Sequence, residues 1–364
     1  MRALAGIGSF GGQRGRWALP LLALILVWPS ATVACDICAI YTATEMQTSR
    51  SGARVGLAQQ FTRFTTLQDD GQEIANPRNE RMTSSITQLI VGYQLHPDFG
   101  VQVALPWIHR DFRRARGSVD DEGDETGFGD LSLVASYAPW ARTDESGVFR
   151  LTLLGGLKLP SGSSERLREE LEYDVDADAV RDRLNDNMGS HRNPGTPSDA
   201  PVARPQGHSG AGATATSGIH GHDLALGTGS VDPVFGLQAL WTRQRFVLDA
   251  GFQYVLRTEG RFDYEYADEL TAHLNPGVFA VLDDRRALVL QLATTIEHKG
   301  DDELDGSELD DTALTAVYLG PGLHFTLGSA LSLDFVVDLP VHLDNSAVQI
   351  VPDYRLRAGF LWRF

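Results

Sequence analysis

Beyond its first 34 residues, this 364-residue chain has no apolar run of about 18 residues, so no transmembrane helix is predicted for the remainder. Positive charge is scarce as well: 31 Lys and Arg stand against 48 Asp and Glu, for a formal net charge of −17. That balance argues against nucleic acid as a partner and against a polybasic membrane-surface role. There are only two cysteines, Cys35 and Cys38, in a single C-x-x-C. No Ser-His-Asp spacing, pair of catalytic carboxylates or phosphate-binding loop stands out, so neither an enzyme nor a cofactor is expected.

The amino terminus is an export signal. Arg2, Arg14 and Arg16 precede the apolar stretch 17–28, and the small residues of 29–34 suit cleavage near Ala34. Three arginines and no acid leave with residues 1–34, so the net charge of −17 moves to −20 in the mature chain. The expected organisation is a signal peptide at 1–34, a periplasmic segment at 35–52 carrying the C-x-x-C, and one β-domain at 53–364.

Period-2 patterning marks twelve segments in that domain, near 53–64, 84–95, 99–110, 128–140, 148–159, 230–241, 246–257, 268–282, 287–298, 312–327, 330–342 and 353–364. Leu331, Leu333, Phe335, Val337, Leu339 and Val341 share one face, opposite Ser332, Asp334, Val336, Asp338, Pro340 and His342. The connections alternate between short ones, such as 96–98, 242–245 and 328–329, and longer ones at 65–83, 111–127, 160–229, 299–311 and 343–352. Short turns at one end and long loops at the other are the habit of outer-membrane barrels. The same topology puts Trp140, Trp241 and Trp362 at the short-turn end and Trp107 near the other, as interfacial girdles require. The final segment alternates Tyr354, Leu356, Ala358, Phe360, Trp362 and Phe364 against mostly cationic or small residues. It looks like the closing strand of a bacterial outer-membrane barrel. Tyr354, Phe360, Trp362 and Phe364 would then be its signal to the barrel assembly machinery.

The fold class expected is therefore all-β: a transmembrane antiparallel up-and-down barrel of about twelve strands with a long, partly disordered outer loop. Three segments, Gly127-Phe-Gly-Asp-Leu-Ser-Leu133, Gly156-Leu-Lys-Leu-Pro-Ser-Gly162 and Leu226-Gly-Thr-Gly-Ser-Val-Asp-Pro-Val-Phe-Gly-Leu237, resemble the outer-membrane transporter family associated with phenol degradation by the meta pathway. The resemblance implies passage of small, aromatic or hydrophobic molecules. The chain departs from the family in its insertion at 160–229. There residues 163–187 could form a short charged helix, and 189–221, rich in Gly, Ser, Pro, Ala and Thr, read as a solvated, disordered tract.

Charge facing lipid near the midplane costs about 2–4 kcal/mol for Arg or Lys, so the charged strand positions are expected to face the lumen. They are Asp130, Lys158, Asp232, Asp249 and Arg257; Glu269, His273, Glu297 and His324; and Asp334, Asp338, His342, Arg355 and Arg357. They either form a selective polar pathway or neutralise one another and fill the interior. Cys35 and Cys38 could form a local disulfide, a soft-metal site or a lipid anchor. His220 and His222, with His191, His208 and Asp223 in the same tract, are metal-ligand types without an evident scaffold. The run at 301–306 fails as a calcium loop, with Glu303 at its third position and Thr312 at its twelfth. With residues 120–125 it reads as an acidic outer rim.

The function expected is passive passage of small solutes across the outer membrane of a Gram-negative bacterium, with outer-membrane lipids as surroundings and no nucleic acid. The alternative is a metal-handling surface protein that uses Cys35, Cys38, His220 and His222, with the barrel as anchor.

Overall fold

Twelve long strands close into one antiparallel barrel. This is seen in a computed structural model that describes residues 52–171 and 217–364. The wall strands are β1 (Gly52–Asp69), β2 (Arg81–His96), β3 (Phe99–Arg116), β4 (Leu131–Asp144), β5 (Gly147–Leu159) and β6 (Asp232–Arg243). They continue with β7 (Phe246–Val255), β8 (Glu269–Leu282), β9 (Arg286–Lys299), β10 (Leu314–Leu327), β11 (Leu331–Asn345) and β12 (Val348–Arg363). Each pairs with its sequence neighbour, and β12 pairs with β1 in a ladder running from Arg54↔Arg363 through Leu57↔Phe360 to Asp69↔Val348. Closure gives each of the twelve wall strands a partner on both sides, which a bilayer core demands because it offers no partner to an open N–H or C=O.

Side-chain alternation sorts the two faces. Leu57, Leu89, Val91, Leu292, Phe335 and Leu339 are exposed outward, while the intervening Ala58, Gln88, Ile90, Ala293, Val336 and Asp338 are buried inside. No helix among the described residues is long and apolar enough to cross a membrane. Trp140, Trp241 and Trp362 are exposed at the short-turn end, and Trp107, packed edge-on against Phe128 at 4.8 Å, lies toward the long-loop end.

The wall is taller at the long-loop end than the pattern suggests. Residues 111–127, read as a loop, instead extend β3 and return as a strand, Val119–Phe128, paired from Trp107↔Phe128 to Arg116↔Val119. This strand and β4 are two pieces of one path, broken at Gly129 and Asp130, where Gly129 N–H donates to Pro106 O at 2.9 Å. Gly129 passes so close to its neighbours that a Cβ there would lie 2.7 Å from Ile108 and 2.9 Å from Pro106. The expected long loop at 343–352 is also strand: β11 and β12 turn over only Ser346 and Ala347. Charged and polar residues hid both extensions, because strand above the lipid has no need of an apolar outer face.

Candidate functional site

The lumen has two chemically different walls. On β1–β3 the inward residues alternate between polar groups and an apolar strip of Ala58, Ile86, Ile90, Ala104 and Ile108. Nearer the short turns, Arg54 Nη2 donates to Gln102 Oε1 at 2.9 Å and Arg54 Nη1 to Gln94 Oε1 at 3.3 Å. Next to them around the ring, β8–β12 carry a charge network that reaches β1 through the β12–β1 pairing. Arg355 Nη1 meets Glu297 Oε1 at 2.6 Å and its Nε meets Asp338 Oδ2 at 3.0 Å, while Arg357 forks onto Asp338 at 2.7 and 2.9 Å. Arg355 also sits 4.2 Å over the Tyr318 ring. Arg355 and Asp338 are 0% exposed, so this network fills its part of the interior rather than lining open water.

A second network lies where the insertion joins the wall. Asp130 Oδ1 accepts from Gly162 N–H at 2.9 Å. Its Oδ2 accepts from the N–H and hydroxyl of Thr228 at 2.8 and 2.9 Å, and Lys158 Nζ lies 3.4 Å away. Ser161 donates to Gly129 O and accepts from Leu131 N–H, and Leu226 and Gly227 N–H both reach Ser163 O. Beside it, Ser230 and Arg257 hold Asp232 at 2.7 and 2.8 Å, and Arg257 continues to Glu269 at 3.0 Å. The three glycine-rich segments singled out in the sequence therefore converge on one carboxylate. The break at Gly129 and Asp130 turns that carboxylate inward.

From this latch the returning arm of the insertion, 217–231, folds into the barrel mouth. Ile219 and Leu224 pack against Phe64, Leu67, Met82, Phe112 and Ile350, and Leu226 joins the apolar strip. Ile350 N–H donates to Gly218 O at 2.8 Å, Ser217 and Gly218 bond Glu80 Oε2, and Arg110 donates to Ala225 O at 2.8 Å. On the outgoing arm a 3₁₀ turn at Glu165–Leu167 leads into α-helical residues 168–171, within the tract expected to form a charged helix. Arg114 ties this arm to the wall through Glu169 at 2.6 Å, and Arg166 does so through Glu125.

The sequence reading of this insertion as solvated needs correction at its returning end. His220 and His222 are 6% and 7% exposed, set in a short turn of helix capped by Asp223 and walled by Tyr264 and Tyr266. Composition misled because the anchoring residues are few and scattered among Gly and Ser. Burial pulls the His222 imidazolium down, yet Asp223 and Glu170 outweigh it and raise it to about 9. Burial likewise pushes Glu170 up, and the facing His222 brings it down to about 2. The two meet at 3.0 Å as a charged pair.

The remaining expected lumen positions divide. His273 Nε2 lies 3.4 Å from Asp249, and His324 Nδ1 lies 2.5 Å from Asp334, all mostly buried. His342 is exposed instead: a register irregularity beside Val317↔His342 and Tyr318↔Pro340 shifts the alternation there and turns it outward. Tyr354 packs against Phe61 with ring centroids 6.2 Å apart and planes tilted by 40°, Phe360 and Trp362 are exposed, and Phe364 donates its N–H to Ala53 O. Cys35, Cys38, His191, His208 and the expected leader lie outside the described residues. Sequence reasoning passed over Arg54, Arg110 and Arg114 as lumen groups, although their alternation with exposed Val55 and Trp107 carries the signal.

The family described as "Putative MetA-pathway of phenol degradation" matches residues 64–175 and 214–343, more than half of the chain. The chain belongs to that family. No curated protein shows a significant match. Among solved structures, the COG4313 outer membrane channel from Pseudomonas putida F1 is similar to this family member over 89% of the chain and 100% of its own, with 14% identity and a TM-score of 0.58. That likeness establishes the shared outer-membrane barrel fold. The β domain of the Bordetella autotransporter BrkA (11% identity, 86% and 100% coverage, TM-score 0.43) and the CymD monoaromatic hydrocarbon channel (8%, 92% and 95%, 0.36) are more distant in shape.

Proposed function

We propose that this family member is a narrow, plugged outer-membrane channel for small apolar or aromatic solutes. The observation that carries the reading is the apolar strip of Ala58, Ile86, Ile90, Ala104 and Ile108 inside the barrel, covered at its outer end by Leu226 of the insertion. A general water-filled pore has a polar interior; an inward apolar strip has a use when the cargo itself is apolar. The charge network on β8–β12 is internally paired and narrows the remaining space. The family's association with phenol degradation supports the same substrate class. In this reading the chain is exported by a leader cleaved near Ala34. Its β12 residues Tyr354, Phe360, Trp362 and Phe364 engage the barrel assembly machinery.

The test is transport by the mature protein in liposomes and planar bilayers, with and without residues 163–225. We expect little steady ionic current from the full-length protein, faster entry of a phenol-sized solute than of a sugar of equal mass, and a rise in current after the deletion. Large ionic current with equal passage of sugar and phenol by the full-length protein would sink the reading.

A further inference from the structure

The returning arm of the insertion brings together a set of side chains that the channel reading does not use. His220, His222 and Asp223 each offer one ligand atom, and the three atoms lie within 4.8 Å of one another. His222 Nε2 and Asp223 Oδ1 are 3.6 Å apart. Two ligands of one tetrahedral ion with bonds of ~2.0–2.1 Å sit about 3.3 Å apart, so this pair is close to ligand spacing already. Asp311, from the loop between β9 and β10, places Oδ2 3.7 Å from His220 Nε2 and is in reach as a fourth ligand.

The surroundings hold these groups as a metal site's supporting residues do. Metal-binding histidines usually give their second ring nitrogen to a carboxylate, which fixes the ring and strengthens the ligand. His222 Nδ1 meets Glu170 Oε1 at 3.0 Å, leaving Nε2 turned toward Asp223. Asp223 is itself oriented, because its Oδ2 accepts from His220 N–H at 2.9 Å and its Oδ1 is the oxygen facing His222. The two imidazoles lie 5.4 Å apart, and Tyr266 OH pins the backbone by donating to His222 O at 3.0 Å. Lys299, the nearby cation, is engaged by Asp302 at 2.6 Å. The histidines are buried, while the Asp223 and Asp311 side chains are 31% and 39% exposed, which gives an ion a way in from the mouth.

We propose that His220, His222 and Asp223, with Asp311 completing the set and Glu170 orienting His222, bind one divalent cation of the zinc class at the barrel mouth. Two imidazoles select a borderline ion over calcium or magnesium, which take oxygen ligands. The ion would join the returning arm to the loop after β9, with the outgoing arm held through Glu170. The proposed ligand set does not include Cys35 or Cys38.

The experiment is titration of Zn²⁺ into the full-length folded protein after chelation, followed by Co²⁺ spectroscopy of the wild type. We expect one equivalent of Zn²⁺, affinity reduced at least ~100-fold in His220→Ala/His222→Ala, and reduced ~10–100-fold in Glu170→Gln, which removes an orienting group and no ligand. Co²⁺ should show d–d bands without thiolate charge transfer, a wild-type readout that does not depend on a variant folding. No stoichiometric Zn²⁺, binding unchanged in the histidine variant, or a thiolate band lost in Cys35→Ser/Cys38→Ser would each overturn the proposal.

Discussion

Thr228 donates twice to Asp130, from its backbone N–H at 2.8 Å and its hydroxyl at 2.9 Å, while Gly162 donates to the other carboxylate oxygen at 2.9 Å. One buried side chain thus holds both ends of the insertion. In Asp130→Ala those donors and Lys158 lose their acceptor inside the wall. Breaking one side of a buried pair costs about 3–5 kcal/mol. We expect a loss of that order in denaturant unfolding of the detergent-folded barrel, with faster proteolysis of residues 217–231; unchanged proteolysis would show that the latch is not what holds the arm.

Arg355 is the hub of the charged wall. Arg355→Met takes the cation from Glu297 and leaves Asp338 with Arg357 alone, for an expected loss of about 3–5 kcal/mol. Arg355→Lys should recover only part of it, because a point charge cannot address both carboxylates as the guanidinium fork does. Chemical unfolding of both variants in lipid checks this, and full recovery by lysine would contradict it.

The lipid face is tested at Leu292, exposed midway along β9. Leu292→Arg should cost about 2–4 kcal/mol near the bilayer midplane. The readout is unfolding in liposomes; an effect under ~0.5 kcal/mol would mean that this face is not in lipid.

Ile219 anchors the arm among Phe64, Met82 and Phe112. Ile219→Ala should weaken its docking by about 2–5 kcal/mol. Hydrogen exchange should speed up in 217–231 and stay slow in β1–β12; loosening of the whole barrel would mean that the arm is part of the wall's stability.

Arg78 and Arg113 donate to Asp120 and hold its carboxyl below 3.8. A depressed carboxyl pKa stabilises the folded state above the unfolded value and loses that contribution as pH falls through the folded one. The strand Val119–Phe128 is therefore expected to gain hydrogen exchange as pH falls through the lowered Asp120 titration, and Arg78→Ala should move that gain to higher pH. An onset indifferent to Arg78→Ala would remove the pair from the account.

Most of the barrel was legible in the sequence because lipid imposes a strict rule. Leu331 to Val341 alternates with Ser332 to Asp338 for the sole reason that one face is in oil, and such a rule survives without homologues. Where the rule stops, so did the reading. The strands above the lipid looked like loops: 119–128 carries charge on both faces, and 343–352 breaks its pattern with Asp344, Asn345 and Ser346. His342 was misplaced because one irregularity reverses everything beyond it. The latch was visible only as three glycine-rich segments. Nothing in their spacing says that Asp130 receives Gly162 and Thr228, since that contact is made in space by a chain that leaves the wall and comes back.

The pairing of β1 with β12 also bears on how the molecule comes to exist. Arg54 lies opposite Arg363, so the first wall strand finds its second partner only in the last. Loop-closure entropy has to be met before such a distant pairing returns anything, which makes folding slow. Until then Leu57 and Phe360 sit on unsealed margins, where a strand from another molecule could pair in place of the proper one. Ring closure is thus a deadline as well as a shape, and it is met only when β12 arrives.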